Sequence, residues 1–126
     1  MNSRHFTRAA LAVLLLSFAV AAARVAAQRV NLNYYLVGKW HQDVGEMSGE
    51  TVFNSNHTFT SLAWTRGTSY HSGARGEWEI RNEDQLWKHN FECSPNPCSA
   101  EWDDTRIEVI DQNHFRNRLG DVYRMQ

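Results

Sequence analysis

His41, Asp43, Glu46 and Met47 form a polar cluster in the sequence, and His41 and Asp43, two positions apart, share one face of an extended chain. An imidazole beside a carboxylate is suited to metal ligation or proton transfer. A metal site needs three or four donors converging at about 2.0–2.2 Å. Downstream, His57, His71, His89 and His114 stand singly, without His-x-His or His-x-x-x-His spacing. No metal site is therefore expected. The acidic pairs Asp103-Asp104 and Glu77/Glu79 would serve as acid and base only if the fold brought them into one cleft. The serines do not occur in a Gly-x-Ser-x-Gly elbow, and no activated nucleophile is visible. The sequence predicts a protein without catalytic residues and without a cofactor.

Cys93 and Cys98 flank Ser94-Pro95-Asn96-Pro97. In an oxidising compartment such a pair closes a disulfide, here around a short loop stiffened by two prolines. The rival reading, zinc ligation, lacks a second Cys or His pair at the required spacing. The start of the chain supports oxidation. Arg4 and Arg8 precede an apolar run from Ala9 to Ala23, and Val25-Ala26-Ala27 supplies small residues at the −3 and −1 positions of a cleavage site. This is the pattern of a secretory signal peptide over residues 1–27, with an apolar run too short for the roughly 20 residues that span a bilayer. Residues 28–35 then form a lead-in to a domain at 36–126, and the mature protein is expected to be periplasmic or secreted, with no membrane span.

Removing 27 of the 126 residues leaves 99, enough for one small domain. Lys plus Arg falls from 13 to 10 while all 14 acidic residues stay, so the mature net charge is −4. A mildly acidic domain without a basic run is a poor nucleic-acid binder.

Turn signals recur every 8 to 12 residues, the rhythm of an all-β sandwich or barrel. Gly45 to Gly49 reads as a break after a strand at Gly38, and Glu50–Phe53, Thr58–Trp64, Tyr70–Ile80 and Gln85–Glu92 read as strands. Gly73 and Gly76 mark a bend or bulge inside the fourth. Thr105–Ile110, His114–Leu119 and Val122–Met125 complete eight short strands, the last two joined by a hairpin turn at Gly120-Asp121. A short segment around Val30 to Tyr35 is the one helical candidate. Alternation puts Trp78 and Ile80 on one face and Glu77 and Glu79 on the other. It also separates Trp87, His89 and Phe91 from Leu86, Lys88 and Asn90. The fold class is all-β, an antiparallel meander forming a small barrel or strongly curved sheet.

Gly38-Lys39-Trp40 at the head of this meander resembles the Gly-x-Trp motif of lipocalin-like (calycin) barrels. Thr51-Val52-Phe53, Asn56-His57-Thr58-Phe59-Thr60 and Gly76-Glu77-Trp78-Glu79-Ile80 are similar to the hairpin order of short exported bacterial domains of that type. The resemblance implies that Trp40 packs across a closed end beneath an arginine from a late strand, with Arg116, Arg118 and Arg124 as alternatives. It also implies a binding protein for a small apolar or amphipathic ligand, contacted by Trp64, Trp78, Trp87, Phe59 and Phe91 where their strands face inward. The alternative function is a protein-interaction or enzyme-inhibitor module. There the five tryptophans make the barrel solid, and the cystine loop with Trp102 contacts an exported protein.

Overall fold

The structure, a computed structural model, describes residues 30–126, so the leader assigned to residues 1–27 lies outside the described residues. A single turn of helix, α1 (Leu32–Tyr35), is capped by the Asn31 side chain, which accepts a hydrogen bond from the Asn33 amide at 3.0 Å. Nine strands follow: β1 (Gly38–Val44), β2 (Met47–Phe53), β3 (Thr58–Thr65), β4 (His71–Arg81), β5 (Gln85–Ser94), β6 (Trp102–Arg106), β7 (Glu108–Asp111), β8 (His114–Asn117) and β9 (Gly120–Arg124). They form one antiparallel sheet in the order β6-β5-β4-β3-β2-β1-β9-β8-β7. The first and last strands pair, Trp40 opposite Arg124, and the sheet curls into a nearly closed barrel.

Chain-order neighbours β6 and β7 sit at the two ends of that order. They correspond to the single strand expected at Thr105–Ile110, broken at Ile107. That residue is 4% exposed, and its amide donates to the Asp84 carbonyl at 2.8 Å instead of joining a ladder. One bent segment thus pairs with β5 by its first half and with β8 by its second. The break turns eight expected strands into nine.

Two turns fall elsewhere than expected. Gly45, at φ +59°, opens a two-residue turn to Glu46, so β2 starts at Met47 and Gly49 lies within the ladder opposite Gln42 and Ala63. Asn117 pairs with Gly120, so the β8–β9 turn is Arg118-Leu119 and not Gly120-Asp121. The Asn117 side chain fixes it by accepting from the Leu119 amide at 2.9 Å. The bulge expected at the glycines of β4 is present. Arg75 opposes Glu92 but Gly76 opposes Asn90, leaving Phe91 as the extra residue of β5.

The core gathers Leu32 and Leu36 from the lead-in with Trp40, Phe53, Phe59, Trp78, Leu86, Ile107, Phe115 and Val122 from the strands. Trp40 and Trp78 are both almost wholly buried. The Trp40 indole donates to the Leu36 carbonyl at 2.8 Å, and that of Trp78 to the Asn54 carbonyl at 3.2 Å. Each buried ring nitrogen therefore keeps the partner its desolvation demands. Among the described residues no helix is long and apolar enough to cross a membrane.

Candidate functional site

Trp40 divides the barrel interior. Below it, α1 crosses the closed end: the Tyr35 hydroxyl lies 2.7 Å from the Asp111 carbonyl and 3.0 Å from that of His114. Burial raises the Tyr35 pKa to about 12, which keeps the hydroxyl neutral and able to donate. Above Trp40 is a cavity of about 290 Å³. Its floor is apolar, built by Trp40, Phe53, Leu86, Phe115 and Val122. Its upper wall is polar and largely satisfied internally. Gln42 Nε2 donates to Asn117 Oδ1 at 2.9 Å across the β1–β9–β8 wall, and the Thr51 and Ser61 hydroxyls pair at 3.0 Å. A shallower hollow of about 330 Å³ lies beneath the cystine loop and shares Ser61 and Ala63 with the first.

Lys88 also lines this cavity. It sits opposite Trp78 on β4 and Asp103 on β6, on the inward face of β5. By surface area the residue is partly buried, its side chain bordering the cavity and its surroundings otherwise largely protein. That enclosure pushes the ammonium below the ordinary lysine range; the charge of Asp103 opposes the shift and that of Arg118 adds to it.

The aromatic residues expected to meet a ligand are divided by the strand registers. Phe59 and Trp78 point inward but belong to the packed core, Trp78 stacked against His57 with ring centroids 4.3 Å apart. Trp64 lies on the outer face beside His41, at a centroid distance of 6.0 Å. Trp87 and Phe91 are outward too, a correction to the expected inward set. The physical reason is register: Ile80 opposes Leu86 and Trp78 opposes Lys88, so the buried face of β5 is the Leu86-Lys88-Asn90 face. The ligand-facing aromatics of the cavity are Trp40, Phe53 and Phe115. Phe53 and Phe115 gave a signal in their strand patterns; Lys88 gave one only through sharing a face with Leu86.

On the outside, Trp102 is the first residue of β6, stacked on His89 with centroids 4.3 Å apart and planes 6° off parallel. Trp87 meets it edge-on, and the Arg81 guanidinium lies 4.3 Å from the Trp87 ring and 5.3 Å from that of Trp102. The row remains partly open, Trp102 at 40% and Phe91 at 54% exposure.

The cluster that includes His41 and Asp43 is a hydrogen-bonded rim. Asp43 Oδ1 accepts from Ser48 Oγ at 2.6 Å and lies 2.9 Å from His41 Nε2 and 3.3 Å from Arg66 Nη1. Met47 Sδ accepts from the Thr65 hydroxyl, while the Glu46 carbonyl receives the Arg66 amide. Among the described residues no three His, Cys, Asp or Glu side chains converge as a metal site. Cys93 and Cys98 are joined by a disulfide, as the spacing predicts. Of the three late arginines, Arg124 covers Trp40 at 4.2 Å. Arg116 instead pairs with Asp121 at 2.7 Å, and Arg118 borders the cavity.

These features define an all-β, nearly closed antiparallel barrel with a plugged end and a mixed apolar and polar interior. No protein-family model matches the chain, nor does any curated protein. Solved structures do match its fold. An NMR structure of a protein from Bacteroides thetaiotaomicron VPI-5482 aligns with a TM-score of 0.54 at 10% identity, covering 77% of this chain and 96% of that one. The crystal structure of the lipoprotein YedD from Klebsiella pneumoniae aligns with a TM-score of 0.51 at 10% identity, covering 72% of each chain.

Proposed function

We propose that this chain is an exported, non-enzymatic binding protein of lipocalin-like type that holds a small amphipathic molecule inside its barrel. The observation that carries the reading is the cavity above Trp40, with its apolar floor and polar upper wall. An interior of about 290 Å³ lies at the small end of ligand sites and suits a compact molecule with one apolar and one polar end. The disulfide supports folding in an oxidising compartment, in line with the leader read at residues 1–27. Because Trp40 forms the floor, a ligand seated there alters indole emission. Titration with a panel of short amphiphiles is expected to produce saturable quenching that is lost when the cavity is filled by Val122→Trp. A flat response across the panel would sink the reading. Cell fractionation is expected to find a mature form, cut near Ala27, outside the cytoplasm.

A second reading rests on the outer row. Trp102, half exposed and braced by His89, Trp87 and Arg81, has the rigidity of an interface anchor for another exported protein. Under this reading, capture of a periplasmic or secreted partner depends on Trp102 and survives Val122→Trp.

A further inference from the structure

Among the polar groups lining the cavity, Lys88 lacks what the others have. Gln42 pairs with Asn117, and Thr51 with Ser61. Asp103 accepts from Asn90 Nδ2 at 3.1 Å. Lys88 Nζ has no hydrogen bond and no carboxylate within 4.0 Å among the described residues; it lies 5.5 Å from the centroid of the Phe59 ring. Its neighbour in charge, Arg118, likewise has no carboxylate in ion-pair contact. Of the three acidic residues lining the cavity, Glu50 pairs with Lys39 at 3.2 Å and Asp104 accepts from Gln85 at 2.7 Å, which leaves Asp103 as the carboxylate opposite Lys88. An ammonium on an inward face, bordering a cavity and without a protein acceptor, is open to pair with an anion there. The ladder gives it no escape, because β4 and β6 flank β5 on either side and fix Lys88 on the inward face. A ligand that enters the cavity with an anionic group supplies that acceptor in place of water. The same cavity is lined by the indole of Trp40 and the side chains of Phe53 and Leu86, a surface for an alkyl or aryl body.

We propose that the cavity takes a small carboxylate amphiphile, whose head ion-pairs with Lys88 while its tail rests on the Trp40 floor. This rests on the reading of the barrel as a ligand carrier and names the chemistry of its ligand. Arg118, which also lines the cavity, adds attraction for an incoming anion, while the charge of Asp103, held by Asn90, disfavours a second one beside it.

The test uses the purified chain and three probes of equal length: octanoate, octanol and octylamine. Indole emission is read at a pH where the acid is ionised and the amine protonated. Octanoate is expected to bind at least about tenfold more tightly than octanol, and octylamine more weakly than either. Lys88→Met is expected to bring octanoate to the level of octanol, and Lys88→Arg to keep most of the preference. The order of the three probes on the unsubstituted chain needs no variant, so the proposal stays testable even if Lys88→Met folds poorly. Equal binding of octanoate and octanol, or unchanged preference in a folded Lys88→Met, would overturn the carboxylate inference and leave the carrier reading standing. Failure of all three probes to perturb the emission would overturn both.

Discussion

The Arg124 guanidinium lies 4.2 Å from the ring of Trp40, and its Nη atoms donate to the Val37 carbonyl at 3.0 Å and the Tyr35 carbonyl at 2.7 Å. One side chain thus ties the last strand to the lead-in and to the first strand, where the barrel closes. It supplies donors to carbonyls that leave the ladder and a cation to the face of the plug. The approach also explains the glycine two residues before the tryptophan. Gly38 has φ +132°, and a Cβ there would stand 2.9 Å from Arg124 Nη1. Glycine, tryptophan and arginine form one steric and electrostatic unit.

That unit predicts the stability of its variants. Arg124→Met removes the cation over Trp40 and leaves three carbonyls, those of Tyr35, Val37 and Gln112, without their donor, an expected loss of about 2–3 kcal/mol. Gly38→Ala is expected to lose a similar amount, since it forces both the backbone and the guanidinium to move. Urea unfolding monitored by near-ultraviolet circular dichroism measures both. A change under about 0.5 kcal/mol in either would show that the closed end does not depend on this contact.

The bulge in β4 and β5 gives a sharper steric case. A Cβ on Gly76 would lie 1.8 Å from the His89 carbonyl oxygen, a backbone atom held in the ladder, and 3.1 Å from the Phe59 ring. On Gly73, by contrast, it would meet only the Ser61 carbonyl at 3.4 Å. Gly76→Ala is expected to destabilise by about 3 kcal/mol or more, or to prevent folding; Gly73→Ala by less than about 1 kcal/mol. Thermal melts of the two proteins, compared side by side, settle the difference.

Much of this architecture was legible because local chemistry and long-range structure agree. Trp78 and Ile80 alternate against Glu77 and Glu79, and the buried face is the one a hydrophobic pattern selects. In β5 the pattern misleads. Trp87, His89 and Phe91 look more apolar than Leu86, Lys88 and Asn90, yet the register with β4 turns the second set inward. That register is set by the tight connection at Asn82 and Glu83, both at positive φ, and by the bulge opposite Gly76. A strand's facing is a property of its pairing, which the strand's own residues do not encode. The cavity's lysine was hidden for the same reason. The plug arginine was narrowed to three positions, and only the pairing of β9 with β1 selects Arg124.

Two exposed carboxylates lend the fold an acid-sensitive component. The hydrogen bond from Ser48, then that from His41, holds Asp43 below the usual carboxylate range, and the hydrogen bond from Arg116 does the same for Asp121. In each case the folded pKa lies below the unfolded one. Their stabilisation is therefore full above the ordinary carboxylate range and is lost as pH falls through the depressed values. Asp43→Asn and Asp121→Asn are expected to flatten the fall in melting temperature below about pH 4. Solvent screening keeps each effect small, so calorimetry on the double variant is the decisive measurement.

Cys93–Cys98 closes a loop of low sequence separation, and a short loop removes little entropy from the unfolded chain. Reduction, or the double substitution to serine, is expected to cost about 2 kcal/mol at most and to leave the barrel folded. Amide exchange should rise in the loop and the end of β5 while the Trp40 and Trp78 strands keep their protection. Collapse of protection throughout would mean that the cystine, and not the aromatic core, holds the barrel together.

Lys88 predicts an unusual trade between stability and binding. Enclosure lowers its folded pKa below the unfolded value, so between the two the unfolded chain binds the extra proton. Stability of the empty barrel should then rise as pH climbs through the lowered value towards the ordinary lysine range, the opposite of a lysine engaged in a salt bridge. Tyr35, raised from 10 to about 12, acts with the opposite sign, its stabilisation falling as pH rises above about 10, so the comparison is made below that pH. Replacing the ammonium by the similar volume of methionine should stabilise the empty protein at neutral pH and remove this part of the alkaline rise. Asp103 retains its hydrogen bond from Asn90 in that variant. Urea midpoints of both proteins at neutral and alkaline pH provide the comparison. A Lys88→Met protein less stable than the parent at neutral pH would mean that the ammonium is already paired inside the empty barrel.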